Sequence, residues 1–565
     1  MKVSDYIVEF FIKKEISDVF GYPGGMVTHL MNSFSKYEKQ IHAHVCYHEQ
    51  AASFEACAYA QASNKVGVAY ATSGPGATNM VTGICNAYFD SIPVIFITGQ
   101  VNTFESKNGY GVRQRGFQET DIISMVKDVT KYAAYVEDAN KIGYYLEKAY
   151  QIATEGRKGP VVLDIPMNIT RAEIDPDTIP TYEHKVESNA ADFSAIVDKI
   201  QAAKRPCVVM GAGLKNLDAK TITRFAEHMQ LPVVTSMLAV DMLPHDHPLN
   251  YGFIGAYGAR TANFVVAKSD LLLVLGSRLD VRQVGGKREN FAPNATIVRV
   301  DIDENELQYQ IRPDEIDICA DAASVMAFLE ENCQTDSKKT AEWNEVCKTI
   351  RGELQYQDAK KYNYFVEALS KQIPEHTVVT TDVGQNQVWV AQSYQAKVGQ
   401  KLLFSGGHGA MGYSLPAAIG AYYGTGKPVV SFNGDGGFQM NIQELEFIRR
   451  EKLPIKIIVF NNYALGMIRH FQEMYFESNY AQTVNGHGYE TPDFEKIALA
   501  YDIKYISYEK VEDVSDKFMK AEGPVLVEVK LNEDTYVFPK LEFGKPNQDQ
   551  EPLLDRALFE RLMEL

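Results

Sequence analysis

PVVSFNGDGGFQMNIQELEFIRREKLPIKIIVFNN, residues 428–462, contains two apolar runs, and each ends on a cluster of small polar residues. The first run stops at Gly434-Asp435-Gly436-Gly437, the second at Asn461-Asn462, with 24 residues between Gly436 and Asn461. Continuous Val/Ile-rich runs without polar alternation are strands buried on both faces, which means a parallel sheet covered by helices. Open sheets of this kind bind ligands outside the carboxyl ends of their strands, so Asp435 and Asn462 are expected on one rim. Gly434, Gly436 and Gly437 leave the carboxylate with little steric cover and suit a bulky anion approaching the backbone with a hard cation between. A helix starting near Asn441 is expected to add amide donors.

The same alternation runs through the whole chain. VGVAYATSG (66–74), IPVIFITGQ (92–100), GPVVLDIP (159–166), RPCVVMGAG (205–213), LPVVTSM (231–237), DLLLVLGSR (270–278), TIVRVDID (296–303), HTVVTTDVG (376–384) and GPVLVEVKL (523–531) read as further buried strands. The class is α/β, with doubly wound parallel sheets. Polar stretches at 167–190 and 333–345 read as linkers. They give a first domain over 1–170, a central domain over 190–335, a third domain over 355–540 and a tail over 541–565. Lys158-Gly159-Pro160 and Glu522-Gly523-Pro524 each lead into an apolar strand with an acid near its end, Asp164 and Glu528. The echo closes the first and third domains and points to a duplicated fold.

A chain of 565 residues exceeds one hydrophobic core. Its formal net charge of −17 argues against nucleic acid or an anionic membrane as partner. The seven cysteines form no C-x-x-C pair, which fits free thiols in a reducing, cytoplasmic compartment. The N-terminus reads as an amphipathic helix carrying charges throughout, not as a signal peptide, and no run is long enough to span a membrane.

Asp435 and Asn462 with this spacing resemble the signature of thiamine-diphosphate enzymes. That resemblance implies that Asp435, Asn462 and the backbone carbonyl of Ala464 hold Mg²⁺ against the cofactor's diphosphate. It also requires a glutamate in the first domain to hydrogen-bond the cofactor's pyrimidine ring, and Tyr47-His48-Glu49-Gln50 supplies Glu49. Phe20-Gly21-Tyr22-Pro23-Gly24-Gly25, Ser73-Gly74-Pro75-Gly76, Gly116-Phe117-Gln118-Glu119, Thr381-Asp382-Val383-Gly384-Gln385, Gly412-Tyr413-Ser414 and Gly466-Met467 stand in the order found in acetolactate synthase catalytic subunits. Carried over by position, Glu49, Gln118, Phe117 and Gly25 are the catalytic candidates. Pro23, Thr72, Asn79, Gly384, Gln385, Gly409, Met411, Gly434, Gly436, Gly437, Gly466 and Met467 are the cofactor candidates, with Met411 beneath the thiamine. The family builds its sites between two chains, so a homodimer or homotetramer is implied, Glu49 coming from one chain and the metal site from its partner.

The central domain resembles the one that holds FAD in acetolactate synthases, through Gly211, Gly213, Thr235, Met237, Gly255, Asp280, Arg282 and Asp301. Gly211-Ala212-Gly213 lacks the third glycine of a dinucleotide fingerprint, and the wider superfamily keeps this domain with ADP or with nothing bound. The chain leaves the family's usual pattern at Met167, where a lysine is usual, at Phe471, where a tryptophan shapes the acceptor site, and at Asn386, where a histidine is usual. Met167 and Phe471 are the candidate acceptor pocket. The implied activity is decarboxylation of pyruvate and transfer of its two-carbon unit to an acceptor carbonyl, either a 2-keto acid or a keto-sugar or aldehyde. The alternatives are a 2-keto acid decarboxylase and a non-catalytic cofactor-binding subunit.

Overall fold

The computed structural model describes residues 1–183, 192–354 and 363–565. Their strands form three six-stranded sheets. The first contains β1 (Asp18–Gly21), β2 (His42–Val45), β3 (Gly67–Ala71), β4 (Val94–Gln100), β5 (Tyr132–Tyr135) and β6 (Val161–Pro166). The second contains β7 (Pro206–Met210), β8 (Val233–Thr235), β9 (Asn250–Phe253), β10 (Leu271–Leu275), β11 (Thr296–Asp301) and β12 (Ile316–Cys319). The third contains β13 (Val378–Thr381), β14 (Lys401–Phe404), β15 (Val429–Gly434), β16 (Lys456–Asn461), β17 (Lys504–Tyr508) and β18 (Val525–Lys530). The named strand pairs are parallel, as β15 with β16 and β4 with β6.

The first sheet runs β2-β1-β3-β4-β6-β5 and the third β14-β13-β15-β16-β18-β17. Counted from each sheet's own first strand, the two orders are identical, so the echo between β6 and β18 is a true topological equivalence. The middle sheet, β12-β11-β10-β7-β8-β9, has the order of dinucleotide-binding sheets, with its switch point between β7 and β10.

The first and third domains meet through two helices. Helix Glu49–Ser63 begins on His48, whose Nδ1 accepts from the Gln50 amide at 3.1 Å, and ends on Asn64 in the left-handed region. It is alanine-rich and lies against helix Ser414–Thr425. A Cβ on Gly420 would come within 1.9 Å of the Glu55 carbonyl oxygen, so only glycine permits this approach. Across the same contact, the Tyr47 amide donates to Glu444 Oε1 at 2.9 Å and Asn441 Nδ2 donates to Gln50 Oε1 at 3.2 Å.

Part of the second expected linker is not one. Ser337–Leu354 is an 18-residue helix whose Thr340, Trp343, Cys347 and Ile350 are buried at helical spacing. Trp343 Nε1 donates to the Pro206 carbonyl at 3.0 Å, tying the helix to β7. A stripe of only a few apolar residues among many charges conceals such a helix from a reading by composition. In the first linker, residues 184–191 lie outside the described residues; ahead of them, Met167–Thr170 is a short helix and Pro176–Thr178 a 3₁₀ turn. The tail crosses the middle domain: Arg260, itself buried, donates to the Gln550 carbonyl at 2.9 Å, and Asn547 Nδ2 donates to the Gln283 carbonyl at 2.7 Å.

Candidate cofactor and metal site

At the rim of the third sheet, β15 runs directly into helix Asp435–Met440, with Gly434 as its N-cap. The helix expected near Asn441 is present as Glu444–Arg450, and a short additional helix, Asp435–Met440, precedes it. Nor is the Asp435 carboxylate bare. The residue is 3% exposed, Tyr489 Oη donates to its Oδ1 at 2.8 Å, and the Asn462 amide donates to its Oδ2 at 3.1 Å. A Cβ on Gly437 would lie 2.4 Å from Asp382 Oδ1 and one on Gly436 2.7 Å from Leu465 Cδ2, so these glycines serve close packing. Burial pushes Asp435 up to about 6 against its hydrogen bonds. Burial also pushes Asp382 up to about 7, although the Gly412 and Ser414 amides donate to it at 3.0 and 3.2 Å.

Asn462 shows what this rim is built for. Its Nδ2 donates to Thr535 Oγ1 at 2.6 Å and to Gln385 Oε1 at 3.1 Å. Gln385 is fixed in turn, because its Nε2 donates to the Thr535 carbonyl at 2.9 Å. Asn462 Oδ1 therefore faces the other way, 3.1 Å from Asp435 Oδ2 and 2.9 Å from the Ala464 carbonyl oxygen. Turning the amide over would answer these two acceptors and let its oxygen accept from Thr535 Oγ1 at 2.6 Å, but would set that oxygen 3.1 Å from Gln385 Oε1, another acceptor. A carboxylate, a carboxamide and a backbone carbonyl thus turn oxygens toward one another, with the Asn462 backbone N–H donating to Asp435 Oδ2. Oxygen donors of these kinds are the ones a hard divalent cation takes.

Beside it several glycines stand at close approach to neighbouring side chains. Gly384 has φ +146° and precedes helix Gln385–Ser393. A Cβ on Gly384 would lie 2.9 Å from Asn386 Oδ1, and one on Gly434 3.1 Å from the same oxygen. Gly466 faces Gln385 Oε1 at 2.1 Å from its Cβ position. Met411 Cε reaches within 3.4 Å of the Gly436 Cβ position, and Gly409 stands in open space. Met467 packs, partly buried, on the third-domain core.

At the rim of the first sheet, Glu49 is buried, and Asn79 Nδ2 donates to its Oε2 at 2.9 Å. Its Oε1 lies 3.2 Å from the Gly76 Cβ position, beside Thr72. Thr72 Oγ1 accepts from the Met26 amide at 3.2 Å, which brings the Pro23–Gly25 turn to the same place. Gly25 is exposed with nothing against its Cβ position. Gln118 adopts φ +63° and packs on Gly74, while Phe117 is 79% exposed. Met167 opens the short helix after β6, and Phe471 lies 53% exposed on helix Gly466–Tyr475 beside Tyr475. Sequence reasoning missed Tyr489 and Thr535. They lie 54 and 73 residues from the groups they hold, in loops without periodicity, and nothing local marks them.

A cavity of about 700 Å³ opens between the three domains, lined by Gly213, Met237, Asp280, Arg282 and Asp301 among others. Of the remaining flavin candidates, Gly211 packs on Gly276, Gly255 packs on Arg282, and Thr235 lies buried in β8.

Three family models match this chain. They are the N-terminal TPP binding domain of thiamine pyrophosphate enzymes over residues 1–125, the central domain over 193–329 and the C-terminal TPP binding domain over 382–529. The chain belongs to the thiamine pyrophosphate enzyme family. Within that family it is 34% identical over 559 residues to an acetolactate synthase large subunit of Lactococcus lactis, covering 96% of this chain and 94% of that protein. It is 34% identical to the large subunit of acetolactate synthase isozyme 1 of Escherichia coli, covering 97% of each. It is 37% identical to the acetolactate synthase large subunit of Corynebacterium glutamicum, covering 94% of this chain and 87% of that protein. Among the described residues no helix is long and apolar enough to cross a membrane.

Proposed function

We propose that this protein is a thiamine-diphosphate- and Mg²⁺-dependent carboligase that decarboxylates pyruvate and transfers the remaining two-carbon unit to an acceptor carbonyl. The convergence of Asp435 Oδ2, Asn462 Oδ1 and the Ala464 carbonyl on the third-sheet rim carries the reading. When bound, thiamine diphosphate supplies the carbanion chemistry by which a 2-keto acid loses CO₂ and its carbonyl carbon becomes a nucleophile. The protein's part is to bind, orient and exclude water. Asp435, Asn462 and Ala464 would hold the metal, and Gly384, Gln385 and Gly434 would line the diphosphate. Glu49 would take the pyrimidine: with Oε2 accepting from Asn79, a proton shared with the ring would sit on Oε1. Gln118 would face the reacting carbonyl.

Glu49 would act on cofactor held by the Asp435 site of a partner chain, in a homodimer or homotetramer. The exposure of Phe117 and Phe471 fits surfaces that a second copy covers. Met167 and Phe471 would shape the acceptor pocket, either for a 2-keto acid or for a bulkier carbonyl. The cavity at the middle-sheet switch point would take FAD as a structural group, since the reaction transfers no net electrons. Seven free cysteines fit a cytoplasmic setting. The test is CO₂ release from pyruvate by cofactor-stripped protein. Release should require both thiamine diphosphate and Mg²⁺ and fall at least 100-fold in Glu49→Gln; release without added cofactor, or an unaffected Glu49→Gln, would contradict the proposal.

A further inference from the structure

The echoed strands β6 and β18 each carry one buried acid, Asp164 and Glu528, and neither has a part in the chemistry above. The two acids hold equivalent places in the two like sheets. Asp164 pairs with Thr98 on β4, and Glu528 pairs with Val459 on β16. Two residues further along each neighbouring strand, at its carboxyl end, stands a buried carboxamide, Gln100 or Asn461. Each acid holds its carboxamide: Gln100 Nε2 donates to Asp164 Oδ2 at 3.0 Å, and Asn461 Nδ2 donates to Glu528 Oε1 at 2.6 Å. A hydroxyl occupies each remaining carboxylate oxygen. Thr98 Oγ1 donates to Asp164 Oδ1 at 2.6 Å, and Tyr505 Oη donates to Glu528 Oε2.

Each carboxamide then reaches a turn on the rim. Gln100 Nε2 also donates to the Thr120 carbonyl at 2.7 Å, and Asn461 Oδ1 accepts from the Tyr463 amide at 3.1 Å. Both turns hold a non-glycine residue in the left-handed region, Gln118 at φ +63° and Tyr463 at φ +57°. Such backbone is strained and persists only where its surroundings over-determine it. Gln100 cannot turn its amide over, because its Oε1 accepts from the Val101 amide at 3.0 Å; only an acceptor opposite its Nε2 is compatible.

We infer that Asp164 and Glu528 are a duplicated pair of positioning residues, each setting, through a buried carboxamide, the strained turn that presents one half of the active site. Asp164 with Gln100 sets the Gln118 turn, and Glu528 with Asn461 sets the Asn462–Tyr463–Ala464 turn. The assignment of those turns to the active site rests on the function proposed above.

Four single variants test this. Asp164→Leu and Glu528→Leu delete the acceptor, whereas Asp164→Asn and Glu528→Gln keep an oxygen for the carboxamide and offer their N–H to the neighbouring hydroxyl. Hydrogen exchange is read on the cofactor-free protein. Glu528→Leu should speed exchange at least tenfold across residues 461–466 and leave 115–121 within twofold of wild type; Asp164→Leu should do the reverse, and the amide variants should stay near wild type at both. In calorimetric titration of Mg²⁺ with thiamine diphosphate present, Glu528→Leu should weaken binding about 10- to 100-fold, the range for groups that orient metal ligands. Asp164→Leu should leave Mg²⁺ binding within twofold and lower kcat instead. If a leucine variant does not fold, Asn461→Ser or Gln100→Ser breaks the same link from the other strand and enters the same measurements. Equal loosening of both turns by either variant, or of neither, would overturn the inference. A protein inert towards pyruvate but with the expected exchange pattern would sink the proposed reaction and leave this assignment standing; full activity with unchanged exchange would do the opposite.

Discussion

Asn462 is oriented by Thr535, a residue beyond the last strand of the third sheet. Without that hydroxyl the carboxamide loses one of the two acceptors that turn its oxygen toward Asp435 and Ala464. Thr535→Val keeps the shape and removes the acceptor. It should raise the Mg²⁺ concentration for half-maximal activity about 10- to 100-fold, with kcat at saturating metal nearly unchanged. A second prediction concerns Asp382, whose carboxyl burial pushes up to about 7, well above the ordinary range of an aspartate. Because the folded state holds the proton more tightly than the unfolded chain, stability is lost as pH rises from about 4 to about 7 and is flat above. In urea titrations of cofactor-free protein, wild type should lose ground to Asp382→Asn over that window; a difference independent of pH would contradict the argument. At this scale the sequence displayed the charged and small residues of the site, Glu49, Asp435, Asn462 and the glycines, because short motifs carry them. It concealed Tyr489 and Thr535, because a hydroxyl that orients a ligand from a distant loop leaves no spacing to read.

The strands visible in the sequence are the interior ones. β3, β4, β6, β7, β8, β10, β11, β13, β15, β16 and β18 are covered on both faces and so are continuous apolar runs. The strands not read from such runs are the edges of the three sheets, β2, β5, β9, β12, β14 and β17, together with the short β1. An edge such as HAHV or IDIC is half-exposed and mixes polar with apolar residues, so burial no longer marks it. Helix Ser337–Leu354 was concealed for the same reason, since a single narrow stripe of it is buried. The duplicated order of the first and third sheets was legible only as one short echo, yet that echo fell on the structurally equivalent strands β6 and β18. The contact of helix Glu49–Ser63 with helix Ser414–Thr425 depends on Gly420, which faces the Glu55 carbonyl. Gly420→Val should force the helices apart and cost about 1–3 kcal/mol or more, read as a lower urea midpoint. An unchanged midpoint would show that the contact is looser than its geometry.

The whole molecule places the buried Glu49, at the start of a helix, in the first domain and the Asp435–Asn462 cluster at the rim of the third sheet, with a dinucleotide-type sheet between them in sequence. If the active site forms between chains, Glu49→Gln and Asp435→Ala proteins should each be inactive alone. Mixing them after dissociation and reassociation should then restore about a quarter of wild-type activity, because half of the dimers hold one intact site of two. No recovery from folded, reassociated mixtures would place both groups in one chain's site. The chemistry itself is decided by its product. Holoprotein given [2-¹³C]pyruvate, alone and with 2-keto acids, aldehydes and nucleotide-linked keto-sugars, should yield labelled compounds in which the pyruvate-derived two-carbon unit is joined to an acceptor carbon, detected by mass and by carbon–carbon connectivity. Labelled acetaldehyde as the sole product across the whole panel, or no release of CO₂, would contradict the account.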